Sequence, residues 1–372
     1  MKPLYKKLIH SLLDKADITI NGNDPWDMQI HDQTIYKDIV LKGSLGLGDG
    51  YIKQKWDVDK IDVFFEKILK ARVSFLPSLT GALYEVQDSL SNAQVGKKAF
   101  EVGTYHYDLG NELYELMLGE SMAYSSARFL DKKNSLTQAQ YNKFDQLCKK
   151  LELKPGMKIL EIGSGWGTFA KFAMSQYGVS VVGLTVSKEQ KAYAEKACKG
   201  LPAQFILMDY QHIPNKYNGI FDRVVSIEMI EAVGSKNLKT YFSTIAKTLK
   251  PDGKFGMQVI LGSGEDDIFI SKRIFPNGHV PSAKEIINNS FAFLHVQHWD
   301  SFGKDYEKTL LHWEKNFKNN WNDIKRIKDT SGDKIYDKDF YRMWRYYLLL
   351  CAAGFRVGYI DVAQIVMTKD FI

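Results

Sequence analysis

The stretch KILEIGSGWGTFA, residues 158 to 170, constrains this chain more than any other. A short apolar run of strand composition breaks into glycines at alternate positions and passes into a helix-like segment. Glycine accepts backbone conformations closed to other residues and leaves no side chain between backbone and ligand, so such a turn marks an α/β fold that binds a ligand at a strand tip. Three ligand classes use it. A nucleotide triphosphate loop carries Lys-Ser/Thr after its last glycine, and none follows here. A dinucleotide turn reads GxGxxG, with an acid about 20 residues on for the ribose. Here Glu161 precedes Gly163, Gly165 and Gly167, and the second strand ends GLTVSKEQ with no acid. The acidic-then-GxGxG order points to S-adenosylmethionine (SAM). Gly163 and Gly165 let backbone approach its methionyl and ribose parts. Thr185, Ser187 and Gln190 then supply polar contacts. Asp209, at the tip of the third strand in ILMDY, accepts from the adenine amino group, with Tyr210 beside the ring.

The surrounding pattern supports this reading. KILEI, SVVGLT, QFILM, RVVSI and KFGMQVI are short apolar runs, the earlier ones separated by segments of helical period. That alternation predicts a mostly parallel sheet with helices on both faces. Residues 304 to 355 read as helical and aromatic-rich, and GYIDVAQIVMTKD as one or two closing strands. Before residue 77 the pattern differs. Leu4, Leu8, Ile9, Leu12 and Leu13 fall on one helical face among lysines, as a helix packing on its own small domain or touching a membrane surface would have them. GSLGLGDGY, residues 43 to 51, reads as a turn. The polar stretch that follows sets the expected division: a domain over 1–80, a linker over 81–98 and a catalytic domain over 99–372.

Composition narrows the setting. The 372 residues suffice for one large and one smaller domain. No run of about 18 apolar residues predicts a membrane span, and the N-terminal segment lacks the core and cleavage site of a signal peptide. Cys148, Cys198 and Cys351 form no CxxC pair, which argues against a zinc site and against a disulfide framework, and fits a reducing cytoplasm. No metal ligand set is expected. The net charge of +6 suits an anionic surface. The Asp/Asn-Pro-Pro-Tyr/Phe signature of base methylation is missing, so nucleic acid is not an expected partner.

HYDLGN (106 to 111), MAYSSARF (122 to 129), EIGSGWG, SIEMIEAVG (226 to 234), IFPNG (274 to 278) and CAAGFRVG (351 to 358) occur in that order. Together they resemble the cyclopropane-fatty-acyl-phospholipid synthase family, relatives of the mycolic acid cyclopropane synthases, over nearly the whole chain. The resemblance implies a class I SAM-dependent methyltransferase core, with a mostly parallel seven-stranded sheet and a smaller N-terminal lipid-associated domain. It implies an enzyme, often dimeric, that works at the inner face of the membrane on cis double bonds of phospholipid acyl chains. The expected product is a cyclopropane fatty acid. Tyr124 and Ser125 match family positions that contact SAM. His106 falls in the same N-terminal flap and reads as an organising hydrogen-bond partner.

An alkene is a poor nucleophile and must be held in line with the methyl group. The resulting cation must be kept from water, and a base must remove a proton for the ring to close. In the family that base is thought to be a bicarbonate ion held by a Cys, a Glu and two His positions and a late Tyr. Here the Cys position is Ser126, Glu231 is kept, the neighbouring His is Ala232, the fifth-strand His is Gln258, and the late Tyr falls on Glu314. Ser and Gln can still bind an anion; alternatively the ion is lost and Glu231 acts directly. Glu228 lies three residues before it and gives two carboxyl groups close in sequence; a raised pKa on one would suit proton transfer, which spacing alone does not show. Cys351 matches the family's marked active-site cysteine, yet methylation of an alkene needs no covalent intermediate, and a helix reading YYLLLCAAGF buries such a thiol. The alternatives to cyclopropane formation are a C-methyltransferase giving methyl- or methylene-branched chains, and a non-catalytic protein that binds SAM and lipid surfaces.

Overall fold

A computed structural model describes residues 2–73, 110–264, 266–329 and 331–369. The expected linker and the first four residues of HYDLGN, His106 included, lie outside them. The chain forms two compact units, and their division is not linear. One unit takes residues 1–92, 266–276 and 307–360, and the other takes 93–265, 277–306 and 361–372.

The first unit is helical. Helices Lys2–Lys15, Ile35–Ile52 and Ile61–Lys70 join the long helix Lys338–Val357 and a two-stranded antiparallel pair, β1 (Gln29–Ile30) with β2 (Trp56–Asp57). Its centre is aromatic: Tyr346 meets Phe65, Tyr51 and Phe269 at ring distances of 5.0, 5.6 and 4.5 Å. The GSLGLGDGY stretch is helix here, not turn. The chain breaks at Gly43 (φ 58°, ψ −134°) and resumes as helix to Ile52. Gly48 is required by packing, since a Cβ there would sit 2.2 Å from the Phe269 ring. Spaced glycines signal close approach as readily as a turn. In helix Lys2–Lys15, Ile9 and Leu13 are buried, whereas Leu4 is 66% exposed.

The second unit is a seven-stranded sheet in the order β5-β4-β3-β6-β7-β9-β8. Its strands are β3 (Lys158–Ile162), β4 (Ser180–Thr185), β5 (Ala203–Leu207), β6 (Phe221–Ile227), β7 (Leu249–Leu261), β8 (His295–Ser301) and β9 (Asp361–Thr368). The first five pair in parallel, while β9 runs antiparallel between β7 and β8. GYIDVAQIVMTKD thus supplies one strand. Alternate residues divide between the two faces: Ile159 and Val181 pack on one side with Phe144 and Phe169, Leu160 and Val182 on the other with Phe242 and Ile245. From β3 the connections step outward through β4 to β5, and from β6 outward to β7. The sequence order reverses between β3 and β6. Such a switch point opens a crevice at the strands' carboxyl ends, where α/β sheets bind ligands.

Candidate active site

A cleft of about 1160 Å³, its open mouth included, lies at that crevice. It is bordered by the tips of β3, β4 and β6, by Asp209 and Tyr210 beyond β5, and by Tyr124 and Ser125. Gly163 and Gly165 hold φ of 82° and 51°. A Cβ on Gly163 would lie 2.6 Å from Met229, whereas one on Gly165 would meet nothing within 4 Å. The first glycine allows packing; the second leaves backbone open. Gly167 starts the helix Thr168–Tyr177 in a left-handed conformation and does not border the cleft.

The polar groups around the cleft are unevenly satisfied. Thr185 donates to Gln190 Oε1 at 2.9 Å, and both border the cleft. Ser187 caps helix Lys188–Ala197 by accepting from the Gln190 N–H, and it does not border the cleft. Asp209 accepts the Gln211 N–H at 2.8 Å. Glu161 Oε2, Ser164 Oγ and the Tyr210 hydroxyl are buried with no hydrogen-bond partner among the described residues, and all three residues border the cleft. Burial holds the Glu161 carboxyl well above the usual range. A buried carboxyl group without a donor is costly. A cationic ligand with an amino group would relieve it, so the residues present fit SAM. The sequence signal for Glu161 was its place two residues before the first glycine.

Beside this cradle is a second cluster, drawn from distant parts of the chain. Glu228 follows β6 and borders the cleft. Its Oε1 accepts the Ser126 N–H at 2.9 Å and the Gln258 amide at 2.7 Å, and its Oε2 accepts the Tyr306 hydroxyl at 2.6 Å. Lys143, wholly buried, donates to Ser125 Oγ at 2.6 Å and adds its charge. Burial raises the Glu228 carboxyl above its ordinary range; Tyr306, Lys143, Gln258 and Ser126 oppose that rise. Burial pulls the Lys143 ammonium down to about 7, and the Glu228 charge works against that.

The orientation of Gln258 is determined from outside. Lys150 can only donate, and it donates to Gln364 Oε1 at 2.9 Å. The Gln364 amide nitrogen therefore faces Gln258 Oε1, at 3.2 Å, and the Gln258 nitrogen faces Glu228.

Glu231 is differently placed. It does not border the cleft. One oxygen accepts the Ile260 N–H at 2.6 Å, and the other is buried with no hydrogen-bond partner among the described residues. Burial and the Glu228 charge push its carboxyl up to about 8. Of two neighbouring, partly buried carboxyl groups, the one with more donors takes the negative charge. Here that is Glu228, and Glu231 is the one held toward the neutral acid.

Of the residues that the resemblance assigns to a bound anion, Ser126 and Gln258 come together, but around Glu228. Neither borders the cleft. The tyrosine of the cluster is Tyr306. Glu314 belongs to the first unit and pairs with Arg345 at 2.6 Å. The donors that would hold bicarbonate already serve a carboxylate, so the arrangement does not fit that ion. Cys351 also belongs to the first unit and does not border the cleft. Its thiol is half-buried and pushed up to about 12, mainly by burial, so it stays protonated. Sequence reasoning missed Lys143, Tyr306 and Gln364. Nothing local distinguishes a lysine in QYNKFDQL or a tyrosine in KDYEKTL from surface residues.

The family model described as mycolic acid cyclopropane synthetase matches residues 94–365. The cyclopropane-fatty-acyl-phospholipid synthase of Escherichia coli (strain K12) is 40% identical, the match covering 98% of this chain and 94% of that one. The solved structure of the cyclopropane synthase MmaA2 from Mycobacterium tuberculosis aligns with a TM-score of 0.66 at 30% identity, over 75% of this chain and all of that one. Mycolic acid cyclopropane synthase CmaA1, solved with SAH and CTAB, aligns with a TM-score of 0.66 at 29% identity, over 73% of this chain and 98% of that one.

Proposed function

Because the chain belongs to the mycolic acid cyclopropane synthetase family, we infer that it converts cis double bonds in phospholipid acyl chains to cyclopropane rings with SAM. It is a SAM-dependent methyltransferase of the cyclopropane synthase type. One observation carries the choice of phospholipid. The phospholipid-directed relative matches along nearly the whole of both chains, N-terminal region included, whereas the mycolic acid enzymes align with about three quarters of this one.

Glu161, the backbone at Gly163 and Gly165, Gln190, Asp209 and Tyr210 would hold the cofactor, together with Tyr124 and Ser125, which also border the cleft. When bound, SAM supplies an electrophilic methyl group. The chain's part is to align the alkene and shelter the cation. Tyr124, Phe144 and Trp166 are among the residues that border the cleft, and an aromatic face stabilises a desolvated cation by about 2 kcal/mol.

No helix among the described residues is long and apolar enough to cross a membrane. The proposed setting is peripheral, on the cytoplasmic face of a phospholipid bilayer, as a homodimer and without nucleic acid. Exposed Leu4, with Lys6 and Lys7 exposed beside it, supports that setting. Sedimentation with anionic and neutral vesicles tests it: binding should need the anionic lipid and weaken with salt.

The activity is tested with purified protein, SAM and vesicles of a cis-unsaturated phospholipid, followed by proton NMR of the released fatty acids. Upfield ring-methylene signals are expected. Branched-alkene signals would favour the C-methyltransferase. Absence of methylated product from every unsaturated lipid would favour the binding protein.

A further inference from the structure

The family's chemistry needs a base at the newly added methyl group, and the chain supplies one at a place that sequence reasoning did not assign. Two positions that the resemblance assigns to a bound anion, Ser126 through its backbone N–H and Gln258 through its amide, converge with the Tyr306 hydroxyl on the side chain of Glu228 at 2.9, 2.7 and 2.6 Å. We propose that Glu228 is the catalytic base of ring closure, its carboxylate standing where a bicarbonate ion would otherwise be held, so that this enzyme works without bicarbonate. The inference rests on the cyclopropane synthase reading above.

Three features of the geometry support it. Glu228 borders the cleft along with Gly163 and Tyr124, whereas Glu231 does not. All three hydrogen bonds to its side chain come from donors, which suits an ionised carboxylate, and the Lys150–Gln364 contact keeps Gln258 in the donating orientation. Its backbone holds φ +47°, a left-handed conformation costly for a residue with a side chain. The backbone N–H of Glu228 is bonded to the Gln258 carbonyl at 2.8 Å, so Gln258 holds Glu228 through both backbone and side chain. Strain of this kind persists where surrounding contacts over-determine it, often at functional positions.

The step balances as follows. The alkene π pair bonds to the methyl carbon while the carbon–sulfur bond breaks with its electrons to sulfur. The second alkene carbon becomes cationic. Glu228 takes a proton from the new methyl group, and the released C–H pair closes the ring onto the cation. Neutral cyclopropane and S-adenosylhomocysteine result. The proton, held as the Glu228 carboxylic acid, passes to solvent when product leaves.

The test compares wild type, Glu228→Gln and Glu228→Gly in carbon-dioxide-free buffer and in buffer with added bicarbonate. The readouts are ring product by NMR and SAM affinity by calorimetry. Wild type should form ring product at the same rate, within about twofold, in both buffers. Glu228→Gln should lose roughly 100- to 10,000-fold in ring formation, the range for a removed general base, and keep SAM affinity within about threefold. Glu228→Gly leaves the donors facing a space and should form ring product only with bicarbonate. Wild-type dependence on bicarbonate, or undiminished ring formation by Glu228→Gln, would overturn the proposal alone. Absence of ring product from wild type in both buffers would overturn the underlying reading and the proposal with it.

Discussion

The cofactor cradle and the Glu228 cluster border one cleft and are built in opposite ways. The cradle is chiefly backbone and strand tips, and its key turn occupies five consecutive residues, Gly163 to Gly167. The cluster is drawn chiefly from side chains in six places, running from Ser126, which gives its backbone N–H, and Lys143 through Glu228, Gln258 and Tyr306 to Gln364. A backbone site depends on conformations that few residues adopt. A side-chain site depends on partners that must each be kept in orientation by another. The first should fail sharply when one position is changed, and the second by degrees with distance from the carboxylate.

The largest effect tests the cradle. Gly165→Val places a branched side chain at φ +51°, where the cleft is open, and should weaken SAM binding by about 100-fold or more by calorimetry. Wild-type affinity would mean the cofactor does not approach this backbone. Tyr306→Phe removes one donor from a buried charge and should lower kcat by about 10- to 100-fold, the equivalent of a hydrogen bond to a charged group. SAM affinity should hold; a parallel loss would merge the two regions into one. Gln364→Leu leaves Gln258 free to turn, and kcat should fall roughly fivefold to tenfold, within the worth of one neutral hydrogen bond.

The smallest effect separates the two carboxyl groups. Glu231→Gln mimics the neutral acid and should keep kcat within about threefold, one step below the effect of a single hydrogen bond. Its effect should appear in stability. A folded-state pKa of about 8, above the ordinary carboxyl value of 4.5, gives a contribution fully present below pH 4.5 and lost as pH rises through 8. The melting temperature of wild type should fall between pH 6 and pH 9, and that of Glu231→Gln should fall less. Equal falls would mean another group dominates.

The same contrast explains what was legible in the sequence. The sheet and the turn were readable because periodicity and glycine spacing are local, and the same local reading put Asp209 at the strand tip where it borders the cleft. Six ordered motifs identified the family. The N-terminal glycines misled because close packing and turning both call for glycine, and only the partner, Phe269, distinguishes them. Ser126 and Gln258 were singled out for an anion, and in the structure both hydrogen-bond Glu228 instead. Their hydrogen bonds end on Glu228, and a network joined across more than 200 residues leaves no local pattern. Glu314, on which the resemblance places the late tyrosine, pairs with Arg345, and the hydroxyl that reaches Glu228 comes from Tyr306.

The divided first unit has a consequence for synthesis. Trp56, Phe64 and Phe65 leave the ribosome early, yet Tyr346, against which Phe65 packs, follows about 280 residues later. At roughly 5–20 residues per second that interval is about 15 to 60 s. During it the nascent chain presents an uncovered aromatic face, a surface of the kind that is open to aggregation until translation delivers its cover.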